Sequence, residues 1–253
     1  MTNDALDDPG INPVLESSFS TYLHPNHPLK ERPVLFALDV SGSCWFNLGK
    51  NPYMMAMQKV VTTIGTAFET AGHEVGACFF TEQIELYQAP KKKAVSSILD
   101  LLLSMIPVSK KTDIVSSLEN LLSYQESPSI IVVISDFKSH YNSLFLSQEK
   151  RGQFSKTTHH ILPIVLGESS SDNIPQIGLL NLEDPETESQ VIINTYSKNT
   201  REKYDMITLL HRHYRRRFFK VTNWTPIFLN QSETLPTQIQ EWFRIANNNQ
   251  EEQ

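Results

Sequence analysis

The segment that most constrains the fold runs from Val34 to Ser43 and has the sequence VLFALDVSGS. Its first half is apolar, with β-branched and aromatic side chains, which predicts a buried parallel strand. The strand stops on Asp39, and Ser41 and Ser43 follow in the loop. Ligands of open α/β sheets bind at this carboxyl end, and one carboxylate with two hydroxyls suits Mg²⁺. Taken alone, the same residues favour a plain turn after a strand.

Two later segments place polar residues at similar positions. Thr112 precedes an apolar-periodic stretch that begins at Ile114 and predicts a helix. A second buried strand is predicted at 130–134, and it is followed by Ser135 and Asp136. The three segments together predict a metal-binding site rather than three unrelated turns.

This pattern resembles the metal-ion-dependent adhesion site of von Willebrand factor A-type domains, in which three successive loops carry Asp-x-Ser-x-Ser, Thr and Asp. The matching residues are Asp39, Ser41, Ser43, Thr112 and Asp136. The resemblance implies that the three hydroxyls contact the metal directly, whereas the two carboxylates act largely through bridging waters. It also implies a Rossmann-like sheet.

Such a ligand set suits binding to a protein rather than catalysis. Neutral hydroxyls and waters leave much of the ion's charge uncompensated, whether the ion is Mg²⁺ or, as alternatives, Mn²⁺ or Ca²⁺. The ion can then accept a Glu or Asp carboxylate from a partner protein. Lys110, Lys111 and Lys138 lie next to the predicted ligands, and we expect them to steer an acidic partner surface towards the site.

The composition is that of a globular α/β protein. The chain has 253 residues, of which 40% are hydrophobic, enough for one large domain. No apolar run approaches the roughly 20 residues of a membrane span, and the acidic N-terminus does not look like a signal peptide, so we expect a cytoplasmic protein. The net charge of −6 gives no indication of general nucleic-acid binding. Cys44 and Cys78 are expected to stay reduced, and Cys44 is not expected to be a ligand of a hard cation.

Strands and helices are predicted to alternate along residues 33–246. This alternation favours a doubly wound, mostly parallel sheet of six strands, with one antiparallel edge strand and helices on both faces. A small hairpin insertion is predicted at about 178–194. Residues 1–32 are expected to form an irregular arm and residues 247–253 a disordered tail.

Two long helices are predicted from their apolar periodicity. The first begins at Pro52 and is closed by Gly72. The second runs from about Thr200 to Arg216, and a last strand at 218–222 and a terminal helix at 235–245 are predicted to follow it. The basic run at 211–217 would then lie in the last turn, where cations complement the helix dipole, with docking of an acidic partner or nucleic acid as the alternative.

The resemblance narrows to one bacterial subfamily, the von Willebrand A-type proteins of unknown function that are associated with MoxR AAA+ ATPases. It spans about residues 33–230 and rests on the string at 72–76, the pair Ser135-Asp136 and the segment at 174–187. It implies a chaperone-like adaptor that works with a MoxR-type AAA+ ATPase, or with one of its clients, in assembly or maturation of protein complexes.

Two other functions stay open. A strand that ends in Asp resembles the nucleophile segment of haloacid-dehalogenase-type phosphatases, but that chemistry needs Asp-x-Asp, and position 41 is Ser. A scaffold with a vestigial metal site is the second alternative, although the complete set of five site residues counts against it. No His-Glu-x-x-His, Gly-x-Ser-x-Gly or phosphate-binding glycine loop is found in the sequence. We therefore expect a protein that is not an enzyme.

Overall fold

The computed structural model describes residues 29, 32–45, 52–138, 146–167 and 174–229. The predicted terminal helix at 235–245, the predicted tail at 247–253 and most of the predicted N-terminal arm lie outside the described residues.

The described part of the chain contains eight strands. They are β1 (Val34–Asp39), β2 (Val75–Phe80), β3 (Ile84–Lys91), β4 (Ile130–Ser135), β5 (His160–Val165), β6 (Leu179–Glu183), β7 (Gln190–Asn194) and β8 (Ile227–Phe228). Six of them form one sheet in the order β3-β2-β1-β4-β5-β8. Neighbouring strands run parallel, except that β3 is antiparallel to β2 at one edge. The predicted mostly parallel sheet with one antiparallel edge strand is confirmed.

Helices cover both faces of this sheet. Within the described ranges they are α1 (Gly42–Trp45), α2 (Pro52–Thr70), α3 (Val95–Ser104), α4 (Ile114–Tyr124), α5 (Gln148–Ser155) and α6 (Lys198–Thr222). Helices α2 and α3 pack on one face, and α4, α5 and α6 pack on the other. Alternate residues of β1 enter the two cores, Phe36 one and Leu35 the other, as the period of a strand requires. Two covered faces explain why β1, β2 and β4 are continuous runs of buried residues.

The strand order reverses at β1. The chain places β2 on one side of β1 and β4 on the other, so the carboxyl ends of β1 and β4 flank a topological switch point. Leu38 pairs with Ile134, and therefore Asp39 and Ser135 end neighbouring strands side by side. Open α/β sheets bind their ligands in the crevice at such a point.

The predicted last strand at 218–222 is wrong. Helix α6 continues to Thr222 and ends at Asn223, which has a left-handed conformation with φ of 58°. Phe218 and Phe219 both enter the core from the helix. A short apolar run has no period that separates a strand from a buried helical turn. The sheet ends instead on β8.

The basic run at 211–217 therefore does not lie in the last turn of its helix, where only Lys220 is basic. The helix-dipole interpretation of this run is not supported. Among the described helices, none has the combination of length and apolar character that a membrane span needs.

Strands β6 and β7 form a separate antiparallel sheet, at the place where a hairpin insertion was expected. The turn between them covers residues 184–189. This turn reaches the edge of the main sheet where β1 ends, as its contacts below show.

Candidate metal centre

Asp39 is fully buried at the end of β1, and both of its carboxylate oxygens accept hydrogen bonds. The Ser41 N–H donates to Oδ1 at 3.0 Å, and the Ser135 hydroxyl donates to Oδ2 at 2.5 Å. Ser135 in turn accepts a hydrogen bond from the Phe137 N–H at 2.9 Å. The carboxylate of Asp39 is thus fixed by the loops that leave both β1 and β4.

Asp136 follows β4 and is 2% exposed. Its Oδ1 accepts a hydrogen bond from the Lys138 N–H at 3.0 Å. No donor from the described residues reaches its buried Oδ2. One carboxylate oxygen of Asp136 lies within 4.8 Å of one of Asp39. A buried oxygen without a donor, next to a second carboxylate, is a place that a cation or its bound water can satisfy.

The electrostatics of this pair also favour a cation. Burial, and then the negative charge of Asp136, raise the pKa of Asp39 to about 7, against the opposing hydrogen bonds from Ser135 and Ser41. Neither carboxylate forms an ion pair with a basic side chain in the described part of the chain. Two neighbouring carboxylates in a desolvated site are costly unless a positive charge neutralises them.

The two serines of the first loop add hydroxyl oxygens beside Asp39. Ser41 is buried and Ser43 is half-buried. Their Oγ atoms lie 3.4 Å apart. Both stand where the chain leaves β1 and enters α1, so the local structure agrees with the predicted strand-to-loop transition.

Thr112 lies in the loop before α4, as predicted. The N-cap of this helix is Asp113, whose side chain accepts a hydrogen bond from the Ser116 N–H at 3.1 Å. The same loop contacts the serine loop, because the Gly42 N–H donates to the Lys110 carbonyl oxygen at 2.8 Å. The fold therefore brings the threonine loop against the loop of the two serines.

The predicted ligands belong to three loops, and the first of these loops contacts both of the others. The ligands are Asp39, Ser41, Ser43, Thr112 and Asp136. Their donor atoms are hydroxyl and carboxylate oxygens, which fit a hard divalent cation such as Mg²⁺.

Cys44 is a buried thiol close to this set. Its Sγ lies within 4.8 Å of carboxylate oxygens of Asp39 and Asp136. Burial, followed by the charges of these two carboxylates, raises the pKa of Cys44 well above its usual value. A thiol is a soft ligand that Mg²⁺ disfavours relative to oxygen, so the proximity of Cys44 does not make it a preferred ligand of a hard cation.

The three lysines predicted to steer a partner have different surroundings. Lys110 forms an ion pair with Glu188. The Nζ of Lys138 lies 3.4 Å from the Tyr53 hydroxyl and 5.9 Å from the centre of its ring. Lys111 is exposed. Of the three lysines, Lys110 is therefore the one whose charge is offset by a carboxylate of the β6–β7 turn.

Sequence reasoning considered Arg215 only as part of the basic run at 211–217, whereas in the structure it supports the loop after β4. Arg215 is buried in α6, its Nη1 donates to the Asp136 carbonyl oxygen at 3.5 Å, and its guanidinium lies 5.5 Å from the ring centre of Phe228. Its spacing to Phe218 and Phe219 puts it on the buried face of the helix. Because the helix was predicted to end at 216, Phe218 and Phe219 were not recognised as helical neighbours of Arg215.

A cleft of about 230 Å³ opens beside the site. Its basic lining residues are Lys138, His211, Arg212 and Arg215. Part of the basic run thus faces a cavity next to the loop of Asp136.

Glu186 is a further site residue that the sequence did not indicate. It lies in the turn between β6 and β7, and its Oε1 accepts a hydrogen bond from the Thr112 hydroxyl at 2.9 Å. The turn sequence, with Pro185 beside Asp184, indicates the turn itself but not the loop against which it lies.

Comparisons with known proteins give a family and a fold. The model of a family described as "Protein of unknown function DUF58" matches residues 19–214. No curated protein matches the chain. A solved aerotolerance-related membrane protein from Bacteroides fragilis, with multiple mutations to serines, is 16% identical with a TM-score of 0.56, and the alignment covers 85% of this chain and 99% of that chain. An uncharacterised membrane spanning protein from Vibrio fischeri is 15% identical, with 86% and 98% covered and a TM-score of 0.30. The first likeness shows a shared fold.

Proposed function

This chain belongs to the DUF58 family of proteins of unknown function, and we propose that it is a non-catalytic, Mg²⁺-dependent protein-interaction module of the von Willebrand A type. One observation carries the proposal. Two buried carboxylates, one with an oxygen that no described donor reaches, adjoin the loops of three hydroxyl residues at the switch point of the sheet. The negative charge of these carboxylates calls for a positive charge nearby, and a bound cation would supply it.

In the proposed site each residue has a separate task. Ser41, Ser43 and Thr112 hold the ion by hydroxyl oxygens, while Asp39 and Asp136 act through waters. The bound ion supplies an electrophilic position for a carboxylate oxygen. The Ser135 hydroxyl keeps Asp39 in one orientation, and Arg215 supports the backbone at Asp136.

The surroundings support an acidic partner. Lys111 is exposed near Thr112, and the cleft beside Lys138 is lined by basic side chains of α6. A surface that carries Asp or Glu would be attracted to this rim, and one of its carboxylates would complete the coordination of the metal.

We propose a MoxR-type AAA+ ATPase, or one of its clients, as this partner. The support is the resemblance of the segments at 72–76 and 174–187 to proteins associated with such ATPases, which is an analogy between families. On this proposal the protein acts as an adaptor in assembly or maturation of a protein complex.

The phosphohydrolase alternative is weaker on chemical grounds. Both carboxylate oxygens of Asp39 accept hydrogen bonds, from Ser41 and Ser135, so the carboxylate is held in place rather than presented to a substrate. Position 41 offers a hydroxyl instead of the second carboxylate that an acid or base would require.

The test is a calorimetric titration with Mg²⁺ of the wild type, Ser43→Ala and a control, Ser96→Ala, which removes an exposed hydroxyl from α3. Loss of one ligand is expected to weaken Mg²⁺ binding by about tenfold or more, whereas the control should bind like the wild type. Equal binding by all three proteins, or no binding by the wild type, would contradict a metal at these residues.

The partner is tested separately with a purified MoxR-type ATPase from the same organism. Capture is expected with Mg²⁺ and is expected to be lost with chelator or with Ser43→Ala. The reversal Lys111→Glu should slow association at low salt and have little effect at high salt. Equal capture in chelator would contradict the metal-bridge mechanism.

A further inference from the structure

The turn between β6 and β7 packs closely against the loop that carries Ser41 and Ser43. A Cβ placed on Gly42 would lie 2.3 Å from the Pro185 carbonyl oxygen and 3.2 Å from the Glu186 nitrogen. Such an approach is possible only because residue 42 has no side chain. The backbone of the turn therefore covers the middle of the Asp-x-Ser-x-Ser segment.

Glu186 brings a half-buried carboxylate to this contact. The Thr112 hydroxyl donates to its Oε1 at 2.9 Å. When both oxygens bind one ion, this proton turns away from Glu186, and each oxygen presents a lone pair to the cation. Adjacent ligand oxygens around an octahedral Mg²⁺, with bonds of 2.0–2.1 Å, are about 2.9 Å apart, so this separation suits two neighbouring positions of one coordination shell.

The turn holds Glu186 in place by its own hydrogen bonds. The Glu186 N–H donates to Asp184 Oδ1 at 2.9 Å, and the Thr187 hydroxyl donates to Oδ2 at 2.7 Å. Glu188 pairs with Lys110, whose carbonyl oxygen accepts the Gly42 N–H. The carboxylate is thus pre-organised against the threonine loop, at a high effective concentration.

We propose that Glu186 is the chain's own carboxylate ligand of the metal centre, and that the β6–β7 turn must withdraw it before a partner's carboxylate can bind. This inference rests on the proposed metal site. It makes the hairpin a competitor for the position that the partner needs, because both offer the same kind of oxygen to the same ion.

The experiment compares Glu186→Gln with Glu183→Gln, which removes an equal charge from an exposed residue of β6 in the same hairpin. Calorimetry measures Mg²⁺ binding, and water-proton relaxation with Mn²⁺ counts the waters on the ion. Glu186→Gln is expected to weaken Mg²⁺ binding by about tenfold and to add about one coordinated water. Glu183→Gln is expected to match the wild type in both measurements.

A carboxylate probe tests the competition directly. Acetate is expected to displace water from Mn²⁺ bound to Glu186→Gln at concentrations that leave the wild-type signal unchanged. If Glu186→Gln does not fold, Glu186→Asp serves instead, because its carboxylate is one methylene shorter and is expected to show the same changes.

The outcomes separate the two proposals. Unchanged affinity, hydration and acetate response in the Glu186 variant would overturn the role of Glu186 and leave the metal site standing. Equal changes in both glutamate variants would also overturn it, because the effect would then be one of charge. No metal binding by the wild type would overturn the metal site together with this inference.

Discussion

Two regions meet at the candidate site: the edge of the main sheet where β1 and β4 end, and the β6–β7 hairpin. They differ in the burial of their apolar side chains. In β1 and β4 every residue is buried between two layers of helices. In the hairpin, Leu179 and Ile192 are 75% and 70% exposed. The first region uses its apolar residues to hold the site residues in place, whereas the second leaves them on the surface.

The difference in burial suggests a different task for each region: the main sheet provides stability, and the hairpin covers the candidate site. The ligand loops are positioned by the core of the main sheet, and the hairpin contributes the turn that covers them. A region with few buried apolar contacts is the one that can move at low cost in free energy. If the proposed function holds, the hairpin is the region suited to respond to a partner, while the edge of the main sheet stays fixed.

The largest expected effect is on the free energy of unfolding, and it is measured by comparing alanine substitutions of two isoleucines. Ile134→Ala in β4 removes a fully buried side chain and is expected to lower the free energy of unfolding by about 2–5 kcal/mol. Ile192→Ala in β7 should change it by less than about 0.5 kcal/mol. Chemical denaturation measures both values. Similar losses in the two variants would show that the hairpin is part of the cooperative core.

The second effect is a dependence of the protein's stability on pH, caused by Asp39 at the edge of the main sheet. The pKa of Asp39 in the folded protein is about 7, above the value of about 4 expected in the unfolded chain. Between these values the folded state binds the extra proton, so the metal-free protein should lose stability as pH rises from about 4 to about 7. Stabilisation by Mg²⁺ should accordingly be greater above pH 7 than near pH 5.

Thermal unfolding across this pH range, with and without Mg²⁺, measures the effect. Asp39→Asn should flatten the metal-free profile, whereas Asp100→Asn, which changes an exposed carboxylate on α3, should not. A metal-free profile that is already flat in the wild type would contradict the assignment to Asp39.

The smallest effect concerns the contact between the two regions. Gly42→Ala places a methyl group against the Pro185 carbonyl oxygen and is expected to cost about 1–3 kcal/mol, because backbone atoms of the turn must shift to make room. Gly152→Ala in α5 meets nothing within 4 Å and should be neutral or stabilising. Thermal unfolding of the two variants checks this, and equal behaviour would mean that the turn does not rest on residue 42.

Much of the central sheet could be predicted from local patterns. The continuous apolar run of β1 predicts a strand covered on both faces, and Asp39 marks its end. Pro52 and Gly72 bound α2, with Gly72 in the positive-φ conformation, φ 92°, that such a helix end requires. These features depend on residues that are close in sequence, so they can be predicted without knowledge of the tertiary structure.

The end of α6 could not be predicted in the same way. The apolar pair Phe218 and Phe219 fits a short strand as well as a buried helical turn. Only the packing of both rings into the core with Trp224 decides for the helix. The error carried over to Arg215, whose burial follows from the continuation of the helix.

The sequence by itself therefore determined the ends of β1 and β4, the polar residues that follow them and the chemical type of the candidate ligands, because these depend on periodicity and on residues a few positions apart. Tertiary structure alone decided that Ser135 holds Asp39 and that Glu186 reaches Thr112. These contacts join residues 96 and 74 positions apart. No local pattern encodes such distances, since strand order and the packing of the hairpin turn on Gly42 bring the partners together.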